Sequence, residues 1–186
     1  MKATWSQKRE VMRGYDSMAD IYDSRYALEQ ESKYKVALES IRLSGVVLDV
    51  GCGSGLFFKH VSTGAILIVG IDSSRGLLLK AQKNSYGRRN VHLIRADADY
   101  LPLKDNLFNA VFAFTILQNM PKPVVTLKEL GRVAKPDAQL VVTGLKKVFS
   151  MDSLHTILKR SGLSQVSLID DDALSCYVVV SLKCSK

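Results

Sequence analysis

The chain has 186 residues, 47% of them hydrophobic, and 26 Lys and Arg against 18 Asp and Glu give it a net charge of +8. That is enough apolar material for one full core and too little length for two domains of ordinary size. Three cysteines without paired spacing suggest neither a disulfide framework nor a zinc cluster, Met1 to Lys8 lack the apolar core of a signal peptide, and no apolar run approaches the ~20 residues of a membrane span, so a cytosolic chain without metal or membrane partner is expected.

Tyr15-Asp16-Ser17-Met18-Ala19-Asp20-Ile21-Tyr22-Asp23 opens an amphipathic helical region reaching about Leu43. Residues 1–45 are read as a helical segment of the same domain as residues 46–186. Its tyrosines either pack the helix onto the rest or face a ligand, and Arg13 and Arg25 are either surface charges or partners for an anion. Val46 to Val50 are apolar or β-branched almost throughout, which predicts a buried parallel strand. Gly51-Cys52-Gly53-Ser54-Gly55 then lets the backbone turn tightly, as a strand-to-helix turn requires whether or not anything binds there. A dinucleotide fingerprint would place its third glycine at position 56, where Leu56 stands, and no Gly-Lys-Ser or Gly-Lys-Thr follows for a triphosphate.

A helix is predicted over 54–62. The strand Ile66 to Ile71 follows and ends at Asp72, 23 residues after Asp49. A carboxylate there can accept hydrogen bonds from two ribose hydroxyls, or it can cap the helix predicted over 75–84. Strand 91–96 runs into Asp97-Ala98-Asp99-Tyr100-Leu101-Pro102, and strand 107–114 leads to Phe114-Thr115-Ile116-Leu117-Gln118-Asn119-Met120-Pro121. Helix 123–134, strand 138–145, helix 151–161 and strands 164–170 and 175–183 complete the alternation. The last two strands are separated by too few residues for a crossover helix and should form an antiparallel hairpin. The fold class is α/β: a doubly wound, mostly parallel seven-stranded sheet with an antiparallel last strand, plus the N-terminal helical region.

Asp49-x-Gly51-x-Gly53-x-Gly55, Asp72, Asp97-Ala98 and the Asp105-to-Phe112 stretch, in this order and spacing, resemble the class I (Rossmann-like) S-adenosylmethionine-dependent methyltransferases. The resemblance runs from about Tyr15 onward. It implies S-adenosyl-L-methionine as cofactor, with Gly51, Gly53 and Gly55 under its amino-acid end and Asp49 helping to hold that loop and the ammonium group. It also implies Asp72 at the ribose, Asp97 and Ala98 at adenine, Thr115 at the end of the fourth strand, and Tyr22 at the methionine carboxylate or methyl group. The N-terminal segment would close over the cofactor, with Tyr15 toward the substrate. Asn109 stands where the family commonly has Asp.

Methyl transfer requires chiefly that the nucleophile be aimed at the methyl carbon. Gln118 and Asn119 can orient a heteroatom but cannot take its proton at neutral pH, so both are expected to position the acceptor, while Asn119 could equally cap the following helix. The Asn-Pro-Pro-Tyr or Asp-Pro-Pro-Tyr run of base-amine methyltransferases is absent, and Cys52, Cys176 and Cys184 are poorly placed to attack a pyrimidine ring. His60, His92 and His155 are expected to be structural.

From Lys59 to Arg95 seven cations stand against Asp72 alone, and Lys83 to Asn90 sets Tyr86 among Lys83, Arg88 and Arg89. This stretch predicts a phosphate-contacting surface, against the alternative of a solvated basic face. RNA (tRNA or rRNA) is therefore the favoured acceptor, with a small quinone- or lipid-type molecule as runner-up and a catalytically silent S-adenosylmethionine-binding subunit as the third reading. The short link from Lys146 to Ser150 leaves the acceptor site open, which allows a small zinc-binding activator protein as partner.

Overall fold

The computed structural model describes residues 2–183, with side chains from Trp5 onward. Cys184 lies outside the described residues. Seven strands, β1 (Val46–Val50), β2 (Leu67–Asp72), β3 (Val91–Arg95), β4 (Phe108–Ala113), β5 (Ala134–Leu145), β6 (Leu163–Ile169) and β7 (Cys176–Lys183), form one sheet in the order β3-β2-β1-β4-β5-β7-β6. β1 to β5 pair in parallel, and β7 is antiparallel to both of its neighbours, β5 and β6. The expected doubly wound sheet, final hairpin and inserted last strand are all present.

Helices cover both faces, which is why β1 and β2 can be apolar on both sides. α1 (Lys2–Met18), α2 (Tyr22–Glu39), α3 (Phe58–Val61), α4 (Arg75–Asn84), α5 (Pro123–Val133) and α6 (Met151–Arg160) occur in that chain order. Leu48, Val50, Val111 and Leu140 pack with Leu127 and Leu130 of α5 and Leu154 and Leu158 of α6. On the other face Val47, Ile68, Phe112 and Val141 meet Tyr34, Phe57, Phe58 and Ala81, where Phe57 lies 4.6 Å from Phe112 and 4.9 Å from Tyr34 between ring centres. Alternation along β1 therefore turns Asp49 toward the same face as Val47, the side of α2 and Tyr34.

Three boundaries lie four residues from expectation. The helix predicted over 54–62 is reduced to Phe58–Val61, because Gly51, Gly53 and Gly55 have φ of 74°, 54° and 78° and a right-handed helix cannot start among them. β5 begins at Ala134 rather than 138. Pro136 forces Lys135 into an extended conformation, and Ala134 pairs with Phe108 ahead of a bulge. The N-terminal region is two helices joined by a single 3-10 turn, Ala19–Ile21, and it ends at Glu39 rather than near Leu43.

The sheet order reverses between β2-β1 and β4, so a crevice opens beyond the carboxyl ends of these strands. α4 carries the chain from the carboxyl end of β2 to the amino end of β3. Lys83, Tyr86, Arg88 and Arg89 consequently stand at the far end of the sheet from this crevice, about 15 Å of helix away.

Candidate functional site

The crevice holds a cavity of about 380 Å³. Its floor comes from the glycine loop and the ends of β1 to β4, and its roof from α1 and Tyr22. The loop is tied to the neighbouring strand, since the N–H groups of Gly51 and Cys52 donate to the Ile71 carbonyl at 2.7 and 3.0 Å. Gly51 and Gly53 line the cavity, whereas Gly55 faces the packing: a Cβ there would fall 2.6 Å from the Phe58 ring. Gly55 thus serves the turn rather than the cavity wall.

Asp72 ends β2 inside the cavity. Its carboxylate accepts from the Gly53 N–H at 2.9 Å and the Ser74 N–H at 2.8 Å, and burial raises its pKa despite those bonds. Asp49 lies below the loop. Its carboxyl is pushed up to about 8, first by complete burial and then by the charge of Asp72. A second hollow of about 10 Å³, room for one water-sized group, lies between Asp49, Tyr22, Gln30, Tyr34 and Ser54. Two buried carboxylates whose charge burial disfavours suit a cationic or hydroxyl-bearing ligand, because such a ligand supplies what their surroundings withhold.

Asp97 and Ala98 line the cavity at the end of β3. Asp97 is held by the Lys8 ammonium at 2.7 Å, and Lys8 also reaches Asp99. Burial works against the charge on Lys8, but its bonds to the two carboxylates outweigh it and raise the Lys8 pKa. Tyr22 lies 3.6 Å from the position of a Cβ on Gly53, and burial followed by the nearby Tyr15 and Asp72 pushes its phenol far up. Thr115, Asn119 and Tyr15 line the other end, where Asn119 Nδ2 donates to the Tyr15 hydroxyl at 3.1 Å. Gln118 stands apart from the cavity. Its Nε2 donates to the Thr115 carbonyl at 2.8 Å, and its buried Oε1 has no partner among the described residues. His60, His92, His155, Cys52 and Cys176 do not line the cavity, and the described residues contain no cluster that could hold a metal ion.

Sequence reasoning weighed the tyrosines of the Tyr15-to-Asp23 motif but not its acids. Asp16 accepts from the Ser74 hydroxyl at 2.6 Å and the Gly76 N–H at 2.9 Å, so it anchors α1 to the start of α4. Asp23 takes the Ser54 hydroxyl and, at 3.2 Å, the Asn84 amide, and so pins the glycine loop. The two acids fall on different helices, α1 and α2, on either side of the 3-10 turn, so no helical spacing in the sequence signalled them. Burial opposes the charge on Asp16, but its bonds to Ser74 and Gly76 outweigh this and hold its pKa below the usual carboxylate range. Asp16→Ala is expected to lower stability by about 1 kcal/mol, as loss of a helix N-terminal acceptor does, read by urea unfolding at neutral pH. An unchanged midpoint would reject the anchor.

Residues 48–142 match a family described as a methyltransferase domain. Among curated proteins, a demethylmenaquinone methyltransferase of Staphylococcus aureus (strain MRSA252) is 32% identical over 147 residues, covering 73% of this chain and 60% of that protein. The chain therefore spans about three fifths of the length of that relative. Among solved structures, a SAM dependent methyltransferase from Aquifex aeolicus has a TM-score of 0.78 at 25% identity, covering 90% of this chain and 97% of that one. A chain of the complex between the Haloferax volcanii Trm112 methyltransferase activator and a methyltransferase shares the fold at 17% identity, with a TM-score of 0.78 and coverage of 92% and 98%.

Proposed function

This chain belongs to the class I S-adenosylmethionine-dependent methyltransferase family, and we propose that it transfers the cofactor's methyl group to a small apolar acceptor carrying a ring nucleophile. The cofactor supplies an activated methyl group: the acceptor's electron pair forms the new bond to carbon while the carbon–sulfur bond breaks and its pair stays on sulfur. The residues fit that cofactor. Asp49 would meet the ammonium group in the lesser hollow, Gly51 and Gly53 leave the backbone open beneath the amino-acid end, Asp72 would accept from the ribose hydroxyls, and Asp97 with the Ala98 N–H would receive adenine. Tyr22 and Thr115 would flank the methionine portion. For adenine to reach Asp97, Lys8 must give up part of its hold and can keep Asp99.

The observation that carries the acceptor reading is the far end of the cavity. Tyr15, Ile116 and Met120 make its wall apolar and aromatic, with Asn119 and the Tyr15 hydroxyl as neutral polar groups. Burial raises the Tyr15 pKa, so at neutral pH its hydroxyl stays protonated and can orient an acceptor but not deprotonate it. An already ionised oxygen needs no base, and a ring carbon activated by such an oxygen sheds its ring proton to water after the methyl group has been added. The basic stretch from Lys83 to Arg89, which favoured RNA in the sequence, stands at the opposite end of the sheet. The name of the Staphylococcus aureus relative agrees with a quinone-type acceptor.

Incubation with methyl-labelled S-adenosylmethionine and either a reduced short-chain demethylnaphthoquinol or total tRNA tests this reading. Label is expected in the naphthoquinol, and Arg88→Glu/Arg89→Glu should leave its rate within about twofold, since the pair lies beyond electrostatic reach of the crevice. Label confined to tRNA, or lost with that double variant, would replace the small acceptor with RNA. β3 leaves one sheet edge unpaired among the described residues, which supports a second reading in which a small activator protein adds to that edge. Full activity of the purified chain alone rejects it.

A further inference from the structure

Lys33 lines neither the cavity nor the lesser hollow, yet its side chain is 1% exposed. An ammonium is costly to bury, and a methionine of similar length would fill the same space without that cost. Among the described residues its Nζ meets Glu29 Oε1 at 2.8 Å, one turn earlier on α2, and donates to Thr115 Oγ1 at 3.2 Å. Gln30 Nε2 donates to the same hydroxyl at 3.3 Å.

Thr115 is the residue that needs holding. Its φ of 57° is left-handed, a conformation that β-branched side chains resist. Every polar group it owns is engaged. Its N–H donates to the buried Thr143 hydroxyl at 2.7 Å, and its carbonyl accepts from Gln118 Nε2 at 2.8 Å and Asn119 Nδ2 at 3.3 Å. Asn119 Nδ2 is also the donor to Tyr15. A continuous chain of polar contacts thus runs from Glu29 through Lys33 and Thr115 to Asn119 and Tyr15 at the acceptor end of the cavity.

We propose that Lys33 is a positioning residue for methyl transfer: its buried ammonium clamps Thr115 in the left-handed turn, and Thr115 in that turn sets Asn119 and Tyr15 against the acceptor. Backbone strain persists only where its surroundings over-determine it, and here the surroundings are Lys33, Gln30 and Thr143. In-line displacement is sensitive to small misplacement of the nucleophile, so a clamp behind the wall matters to the rate although it touches neither reactant. The inference rests on reading the Tyr15 end as the acceptor site.

Lys33→Met removes the charge and keeps the volume. In ¹⁵N-labelled protein, the Thr115 amide is expected to exchange about tenfold faster or more as its turn loosens, with displaced Asn119 side-chain amide signals and no loss of thermal stability. With the reduced demethylnaphthoquinol, kcat/KM is expected to fall about tenfold or more, mainly in kcat, while S-adenosylhomocysteine affinity changes far less. Thr115 exchange and Asn119 signals at wild-type values would overturn the proposal. Should Lys33→Met fail to fold, Thr115→Ala removes the same bond from the other side and the Asn119 signals decide in the same way. A wild-type chain that does not methylate the naphthoquinol rejects that acceptor, and the amide readout then decides the role of Lys33 separately.

Discussion

Asp72→Ala is expected to weaken S-adenosylmethionine binding by about 100-fold or more. Two hydrogen bonds from ribose hydroxyls to a carboxylate are worth roughly 1.5 kcal/mol or more each, and about 3 kcal/mol corresponds to two orders of magnitude. The same carboxylate accepts from Gly53 and Ser74, so its removal also loosens the loop that the cofactor's amino-acid end would lie on. Stability should suffer much less than binding. Burial raises the Asp72 pKa, so the folded state disfavours its charge, and that liability disappears with the side chain. Calorimetric titration, with thermal unfolding of the free protein as control, checks both. A dissociation constant within about threefold of wild type would remove Asp72 from the cofactor site.

The second large effect is on pH. If Asp49 receives the cofactor's ammonium group it must be ionised to do so, while in the free protein its carboxyl is pushed up to about 8 by burial and by Asp72. Below that value binding must expel a proton, so affinity is expected to rise by up to about tenfold per pH unit from pH 6 toward pH 8 and to level off above. The sign for the free fold is opposite. The folded-state pKa lies above the ordinary 3.8, so the folded protein binds the proton more tightly than the unfolded chain, and the contribution of Asp49 to stability falls as pH rises between those values. Asp49→Asn should flatten both dependences, leaving weak, pH-independent binding and a free protein more stable than wild type near pH 8. Titrations in buffers of different ionisation enthalpy count the released protons directly. Wild-type affinity that stays flat from pH 6 to 8 would mean that Asp49 meets no cation.

Much of the cavity floor was legible before any coordinates. Val46 to Val50 and the strand ending at Asp72 are runs whose apolar character marks them as buried on both faces, and the carboxylate that ends the second run lines the cavity while also accepting from the Ser74 N–H. The three glycines announced a turn, but they did not announce that Gly55 packs against Phe58 while Gly53 faces the cavity. Gln118 and Asn119 read alike in the sequence. A single 3-10 turn, Leu117–Asn119, separates them, sending Asn119 to the cavity and Gln118 back onto the Thr115 carbonyl.

The charged residues were the least legible. Lys8, Asp16, Asp23 and Lys33 carried no signal of a role in the sequence, yet each is held by partners 31 to 91 residues away in the chain. The basic stretch around Arg88 read as a substrate surface because net charge carries no direction, whereas the path of α4 puts it at the amino ends of the strands.

By itself the sequence determined the doubly wound sheet, the glycine turn and the acids beside it, because strand periodicity and backbone demands are written within stretches of about ten residues. Only the tertiary structure decided what lines the Tyr15 end of the cavity. That end of the cavity is assembled from α1, the strained turn after β4 and a lysine buried behind it, and whether a side chain there is exposed, clamped or aimed depends on neighbours that no local pattern records.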